Sequence, residues 1–183
     1  MKQTRAVKTE ETIVTPSGTN LNEVQKRAEE ARINRLQIIE GALTVESQLN
    51  GVILHYFFGA SHQRRSAFES LVLNSDWCSF AAKRKLITHI INEQNLLEGG
   101  DKRDFDKLMR YVMSVRNAFA HGKLSSDEER AWLSFFEGTP RQVELTEEYL
   151  ADVEDTLRVA FFKTLELAEK IGAMKLAEST KEA

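Results

Sequence analysis

Apolar residues recur at alternating spacings of three and four along the early part of the chain, which is typical of one buried face of an α-helix. That face contains Leu21, Val24, Ala28, Ala31, Ile38, Ala42, Val45, Leu49, Val52 and Tyr56, with Arg35 as its one polar interruption. Asn20 followed by Glu23 resembles a capping box, which marks a helix start. We therefore predict a long first helix from residue 21, in which Gly41 marks a kink or a boundary between two helices.

The same spacing predicts four further helices, and one segment departs from it. The helices are predicted over residues 66–73, over residues 80–97 with Ser79 as its cap, over residues 102–120 with Gly122 as a left-handed end, and from Thr146 onward. Before the last helix, residues 132–136 and 142–145 flank a turn, which predicts a small β-hairpin or an extended loop. The predicted fold class is all-α: an antiparallel helical bundle with a long first helix and this small β-hairpin or extended loop.

Length and composition favour one ordinary folded domain. The chain has 183 residues, of which 42% are hydrophobic and 29% charged, and it contains few glycines and prolines. We expect a flexible N-terminal segment over residues 1–20, a helical domain over residues 21–174 and a frayed C-terminal tail over residues 175–183.

The same composition indicates a cytoplasmic protein. Cys78 is the only cysteine, and residues 1–20 lack the apolar core of a signal peptide. No apolar run approaches the roughly 20 residues that a membrane-spanning helix needs. We therefore expect no membrane partner.

Charge is distributed unevenly along the chain. The net charge of −3 argues against a protein that coats nucleic acid. Residues 82–123, however, carry nine Lys or Arg against five Asp or Glu, whereas residues 124–183 carry seven against fourteen. Lys83, Arg84 and Lys85 lie in the first turns of a predicted helix, where a bound phosphate would relieve an unfavourable arrangement of cations. They are candidate phosphate-binding residues, or else a solvated face.

Polar side chains share one face of the predicted 102–120 helix and its C-terminal end. Arg110, Ser114, Asn117 and His121 lie roughly opposite the core residues Phe105, Leu108, Val112, Val115 and Phe119. Asn117 and His121 are one turn apart and the long Arg116 side chain flanks them, so three polar groups can converge on one ligand. Glu46 and Asn50 lie within the apolar face of the first helix and need partners, because burying them alone is costly. Glu46, Asn50, Arg110 and Ser114 are therefore candidate supporting polar residues.

The run Arg116-Asn117-Ala118-Phe119-Ala120-His121 resembles the R-N-x-x-x-H motif of the HEPN superfamily, in the late helix where that family carries it. The architecture over residues 21–171 is also similar to that family's antiparallel bundle. Catalytic HEPN proteins are metal-independent endoribonucleases that bring two motifs together across a dimer interface. The resemblance therefore implies an RNA endonuclease, of toxin or defence type, with Arg116, Asn117 and His121 as catalytic residues. It implies RNA, a second copy and a protein antitoxin as partners, and no cofactor or metal.

These implied roles are chemically sensible. A histidine can move the proton of a ribose 2′-hydroxyl or of the leaving oxygen near neutral pH. A guanidinium stabilises the charge that develops on the phosphorus centre. Asn117 would orient a phosphate or the imidazole.

A second resemblance leads to a non-catalytic alternative. Residues 68–91, with Ser79-Phe80-Ala81-Ala82-Lys83 and Leu86, resemble the mannitol-repressor-like branch of small helical proteins. This resemblance implies a regulatory or protein-interaction bundle with a protein partner. In that case His121 would be a favourable cation at a helix C-terminus, and Arg116 would pair with a carboxylate such as Glu46.

The row of Met109, Met113 and Ala120 is apolar but lies off the predicted core face of its helix. Burying this row against a second copy would remove apolar surface from water, which favours association. A twofold contact repeats each patch on both subunits and would bring two Arg116 side chains towards one cleft. We therefore expect a homodimer.

Overall fold

A computed structural model describes residues 20–59 and 63–179, with side chains described up to residue 175. The predicted flexible segment, apart from Asn20, lies outside the described residues, as do residues 180–183. The α-helices are α1 (Leu21–Phe58), α2 (Arg65–Phe68), α3 (Phe80–Glu93), α4 (Gly99–His121) and α5 (Glu147–Ser179), with a π-helix at Glu69–Leu73 after α2. The strands are β1 (Lys123–Ser126), β2 (Ala131–Glu137) and β3 (Thr139–Glu144). The predominance of helix, the long first helix and a small β element before the last helix are confirmed, and α5 continues past the predicted domain end at residue 174.

The predicted caps begin the helices as expected, with one difference at α1. Ser79 Oγ accepts the backbone N–H of Ala82 at 3.3 Å, and Thr146 Oγ1 accepts that of Tyr149 at 3.1 Å. At α1, Asn20 Oδ1 accepts the backbone N–H of Asn22, but the backbone N–H of Asn20 is bound by the Glu128 carboxylate. The second half of the expected capping box is therefore supplied by a residue distant in sequence rather than by Glu23.

Helix α1 is continuous through Gly41, so the predicted boundary between two helices at this residue is wrong. A methyl group at Gly41 would lie 3.0 Å from Leu157 Cδ1, which shows how closely α5 approaches α1 at this point. Most of the predicted stripe is buried, namely Val24, Ala31, Ile38, Ala42, Val45, Leu49 and Val52. Leu21 is exposed because it occupies the first turn of the helix.

The boundary between α3 and α4 differs from the predicted one. Helix α3 ends at Glu93, and Asn95 adopts a left-handed conformation with φ of 51°. Gly99 also has a positive φ and begins α4, three residues before the predicted start at residue 102. A left-handed residue interrupts helical hydrogen bonding, which accounts for the earlier end of α3.

The small β element is a three-stranded antiparallel sheet in the order β1-β2-β3. Gly138, with φ of 72°, makes the turn between β2 and β3, and Glu137 pairs with Thr139 beside it. The expected hairpin is therefore present. Strand β1 was not expected, because its short sequence becomes a strand only by pairing Lys123 with Ser134 and Ser126 with Ala131.

The chain divides into two compact units. Unit 1 contains residues 20–39 and 116–153, and unit 2 contains the described residues of 40–115 and 154–179. Helices α1, α4 and α5 each run continuously through both ranges. Unit 1 buries Val24, Ile38, Phe119, Leu133 and Val153, and unit 2 buries Leu49, Ile53, Ile87, Val112 and Leu167. The single domain stays a prediction.

Candidate functional site

Unit 1 contains the three candidate catalytic residues at the C-terminal end of α4. The helix is held there by Ala118 and Phe119, which are buried, so the neighbouring polar residues are left at the surface. Asn117 and His121 are exposed and Arg116 is half-buried. Helical geometry places His121 one turn after Asn117 on the same face.

Arg116 is oriented by its neighbour in the motif. Its Nη1 donates a hydrogen bond to Asn117 Oδ1 at 3.2 Å. This contact leaves the Asn117 amide N–H groups and other guanidinium N–H groups as donors. Donors of this kind, beside an imidazole that accepts or donates a proton, suit a phosphate group.

Arg35 of α1 is a further member of this site, which sequence reasoning did not assign. Its Nη2 donates to the backbone carbonyl oxygen of Ala120 at 2.9 Å, in a partly buried position. The last carbonyls of a helix carry partial negative charge and lack partners within the helix, so a guanidinium there stabilises the end of α4. The signal was present in the sequence, because Arg35 is the polar interruption of the apolar stripe.

Gly122 closes α4, but not in the predicted left-handed conformation, since it is not among the glycines with positive φ. Its backbone N–H donates to the Ala118 carbonyl at 2.7 Å. A methyl group at this position would overlap the Ala118 carbonyl oxygen and lie 2.7 Å from Leu133 Cδ1. Glycine is therefore required here by the close approach of the sheet to the helix end.

The supporting residues Glu46 and Asn50 have partners within unit 2. Lys83 Nζ donates to Glu46 Oε1 at 2.6 Å, and this lysine is only 3% exposed. Asn50 Nδ2 donates to Asn74 Oδ1 at 3.0 Å. The carboxylate of Glu46, which the alternative interpretation assigned to Arg116, therefore has Lys83 as its partner within unit 2.

The basic run of α3 does not form the predicted phosphate site as a group. Lys83 is buried and neutralised by Glu46, so it is not available to a phosphate. Arg84 forms an ion pair with Asp106, and Lys85 is the only exposed cation of these three residues. Burial and pairing, rather than solvation, explain why cations are tolerated in this first turn.

Arg84 and Arg110 both form ion pairs with Asp106, and we call these three residues the Asp106 cluster. Arg110 Nε donates to Asp106 Oδ2 at 2.8 Å. Burial raises the pKa of Asp106, but the hydrogen bond from Arg110 and the charge of Arg84 outweigh it and hold the pKa below its ordinary value. Ser114 is half-buried on the same helix.

The row of Met109, Met113 and Ala120 is not a free apolar surface, which corrects the sequence-based expectation. Met109 is 0% exposed and is one of the largest fully buried side chains, while Met113 and Ala120 are half-buried. The core face of α4 is wider than the predicted stripe. Met109 therefore contributes to the core of the chain rather than to a subunit contact.

Within residues 20–59 and 63–179 there is no group of three or more His, Cys, Asp or Glu side chains placed to hold a metal ion. None of the helices in these ranges has the length and apolar character required to cross a bilayer. No family model, curated protein or solved structure matches the chain.

Proposed function

We propose that this protein is a metal-independent RNA endonuclease of HEPN type, with the five helices packed as an antiparallel bundle. The observation that carries the proposal is the surface arrangement of Arg116, Asn117 and His121 at one end of α4. A toxin or defence role in the cytoplasm, where RNA is present and a single cysteine stays reduced, fits this activity.

The reaction would be an internal transfer at phosphorus. His121 removes the proton of a ribose 2′-hydroxyl, whose oxygen then bonds to the adjacent phosphorus while the bond to the leaving 5′-oxygen breaks. The leaving oxygen takes a proton from a second histidine, and the products are a 2′,3′-cyclic phosphate and a 5′-hydroxyl. Arg116 stabilises the charge on the non-bridging oxygens, and Asn117 orients the phosphate.

The second histidine requires a second copy of the chain. One set of Arg116, Asn117 and His121 provides a single proton-transfer group, whereas the reaction needs a base and an acid. We infer a homodimer with a composite site. Since Met109 is buried, the exposed apolar pair Ile33 and Leu36 on α1 is a better contact in unit 1. These two residues are three apart on one helix face and flank Arg35 in sequence.

The activity is tested with purified protein, RNA and EDTA. We expect the wild type to cleave RNA and His121→Ala to be slower by at least about 100-fold, the usual contribution of general acid–base catalysis. His89→Ala is the matched control, because His89 is also an exposed helical histidine but belongs to unit 2. A substrate with 2′-deoxyribose at the cleaved position should resist cleavage. Equal rates of RNA cleavage by wild type and His121→Ala would refute the proposed nuclease activity.

The dimer is tested by sedimentation equilibrium. We expect Leu36→Glu to produce monomers and to remove activity, because forming the dimer would bury the new carboxylate without a partner. Leu21→Glu is the matched control, since Leu21 is equally exposed on the same helix, at 61% against 60% for Leu36. An active wild-type monomer would exclude the composite site.

Binding of a protein partner is the second candidate function. The partner would be a target of a regulatory bundle or the antitoxin of a toxin. Leu71 and Trp77 in unit 2 are 72% and 70% exposed, so both side chains can contact a partner. Capture of one stoichiometric protein, lost in Trp77→Ser and accompanied by no RNA turnover, would favour the regulatory bundle.

A further inference from the structure

The sheet of unit 1 has one buried face and one face turned outward. Side chains alternate between the two faces along each strand, and the pairing register shows which residues of neighbouring strands share a face. The buried face includes Leu124, Ser126, Ala131 and Leu133. The opposite face, which we call the outer sheet face, contains Lys123, Ser125, Trp132, Ser134, Phe136, Pro140, Gln142 and Glu144.

Two aromatic residues lie on the central strand of the outer sheet face. Phe136 is 75% exposed, the highest value among the large hydrophobic residues in the part of the chain that the structure describes. Trp132 is half-buried, and the Arg130 guanidinium carbon lies 5.6 Å from the centroid of its ring. The two positions are four residue steps apart along the strand, or about 13 Å, which is enough for each ring to receive a different base.

Polar and cationic groups occupy the space between these rings. Ser134 lies midway between Trp132 and Phe136, and the register places Lys123 beside it on β1. On the other side, Gln142 Nε2 donates to Ser134 Oγ at 3.3 Å. Lys123 is exposed. A cation between two ring positions is complementary to a phosphate that links two stacked bases.

Charge on this face favours an anionic ligand. Lys123 belongs to the face and Arg130 lies over Trp132, whereas Glu144, half-buried opposite Trp132, is the one carboxylate that the register assigns to it. The outer sheet face also begins next to the candidate catalytic residues in sequence, because only Gly122 separates Lys123 from His121.

We propose that the outer sheet face binds single-stranded RNA, with bases stacked on Phe136 and Trp132 and a phosphate near Lys123. The proposal rests on the proposed function and narrows its substrate class to RNA with accessible bases. A base within a duplex would not reach the rings, because its faces are already stacked.

The binding test uses His121→Ala protein, so that cleavage does not interfere, and a short oligoadenylate. In this background Phe136→Leu keeps an apolar side chain but removes the ring, and we expect at least about fivefold weaker binding. Phe136→Tyr should retain affinity. Leu71→Ala is the matched control for an exposed apolar residue outside unit 1. An abasic strand of equal length and charge should bind weakly and should not respond to Phe136→Leu.

Trp132 provides a direct signal, because the chain has two tryptophans and Trp77→Phe removes the other one. Oligoadenylate should quench the remaining fluorescence, and the abasic strand should not. Equal affinity of Phe136→Leu and its parent, or equal quenching by both strands, would overturn the proposal. So would a changed oligomeric state of Phe136→Leu at unchanged affinity, which would identify a contact between copies. RNA cleavage that is insensitive to Phe136→Leu would overturn the stacking surface while leaving the nuclease intact.

Discussion

At position 122 the chain passes from α4 into β1 with no room for a side chain. A methyl group there would overlap the Ala118 carbonyl oxygen and contact Leu133. We expect Gly122→Ala to lower the free energy of unfolding by about 1–3 kcal/mol, the usual cost of forcing extra volume into a packed site. Urea unfolding followed by circular dichroism measures this change.

Gly51, a helical glycine of α1, is the control for this substitution, because a methyl group there would meet open space. Gly51→Ala should raise stability by about 0.5–1 kcal/mol, because alanine loses less backbone entropy in a helix than glycine does. If both alanine variants shifted stability in the same direction, close approach would not be the reason for glycine at 122.

Between elements, the ion pair of Lys83 and Glu46 joins α3 to α1. Removing one partner leaves the other charge in a poorly solvated place, so Lys83→Met should cost up to about 3 kcal/mol. Glu46→Leu should also destabilise the fold, and the double variant should be more stable than the sum of the single losses implies. A double-mutant cycle in urea measures the coupling. Additive losses would show that the two charges do not interact.

The Asp106 cluster joins α3 to α4 and should make stability depend on pH. The pKa of Asp106 is lowered in the folded chain from an ordinary value of 3.8. Its ionised form therefore stabilises the fold above that value, and this contribution is lost as pH falls through the lower, folded pKa. Stability of the wild type should thus decrease in acid more steeply than that of Asp106→Asn.

Unfolding by urea at several values between about pH 2 and 6 tests this difference. Asp104→Asn is the control, because Asp104 is an exposed acid of the same helix whose pair with Lys107 is a surface contact of little energetic weight. Parallel profiles for the wild type and Asp106→Asn would contradict the assignment of the acid-sensitive group.

For the whole molecule, the composite site predicts that an inactive subunit inhibits a wild-type subunit by forming a mixed dimer with it. Adding excess His121→Ala to wild type should lower the activity per wild-type chain, since a mixed dimer contains only one His121 side chain. The double variant His121→Ala/Leu36→Glu should not inhibit, because it should not form mixed dimers. Equal inhibition by both proteins would mean that they only sequester RNA.

Features that depend on neighbours within a few residues could be predicted from the order of the amino acids. Ser79 and Thr146 cap helices through contacts three residues away, and the stripe of α1 is read from spacing alone. The motif could be recognised for the same reason, because Arg116, Asn117 and His121 lie within two helical turns.

Contacts between residues that are distant in sequence could not be predicted, because they depend on how the helices and strands pack. Arg35 contacts a carbonyl 85 residues away, and Lys83 pairs with Glu46 across 37 residues. Met109 is buried and β1 exists because of what packs or pairs against them. Periodicity records that a residue is apolar or polar, but the partner that buries or neutralises it is selected by packing in three dimensions. The candidate site was therefore predictable along α4, while Arg35 and the outer sheet face were not.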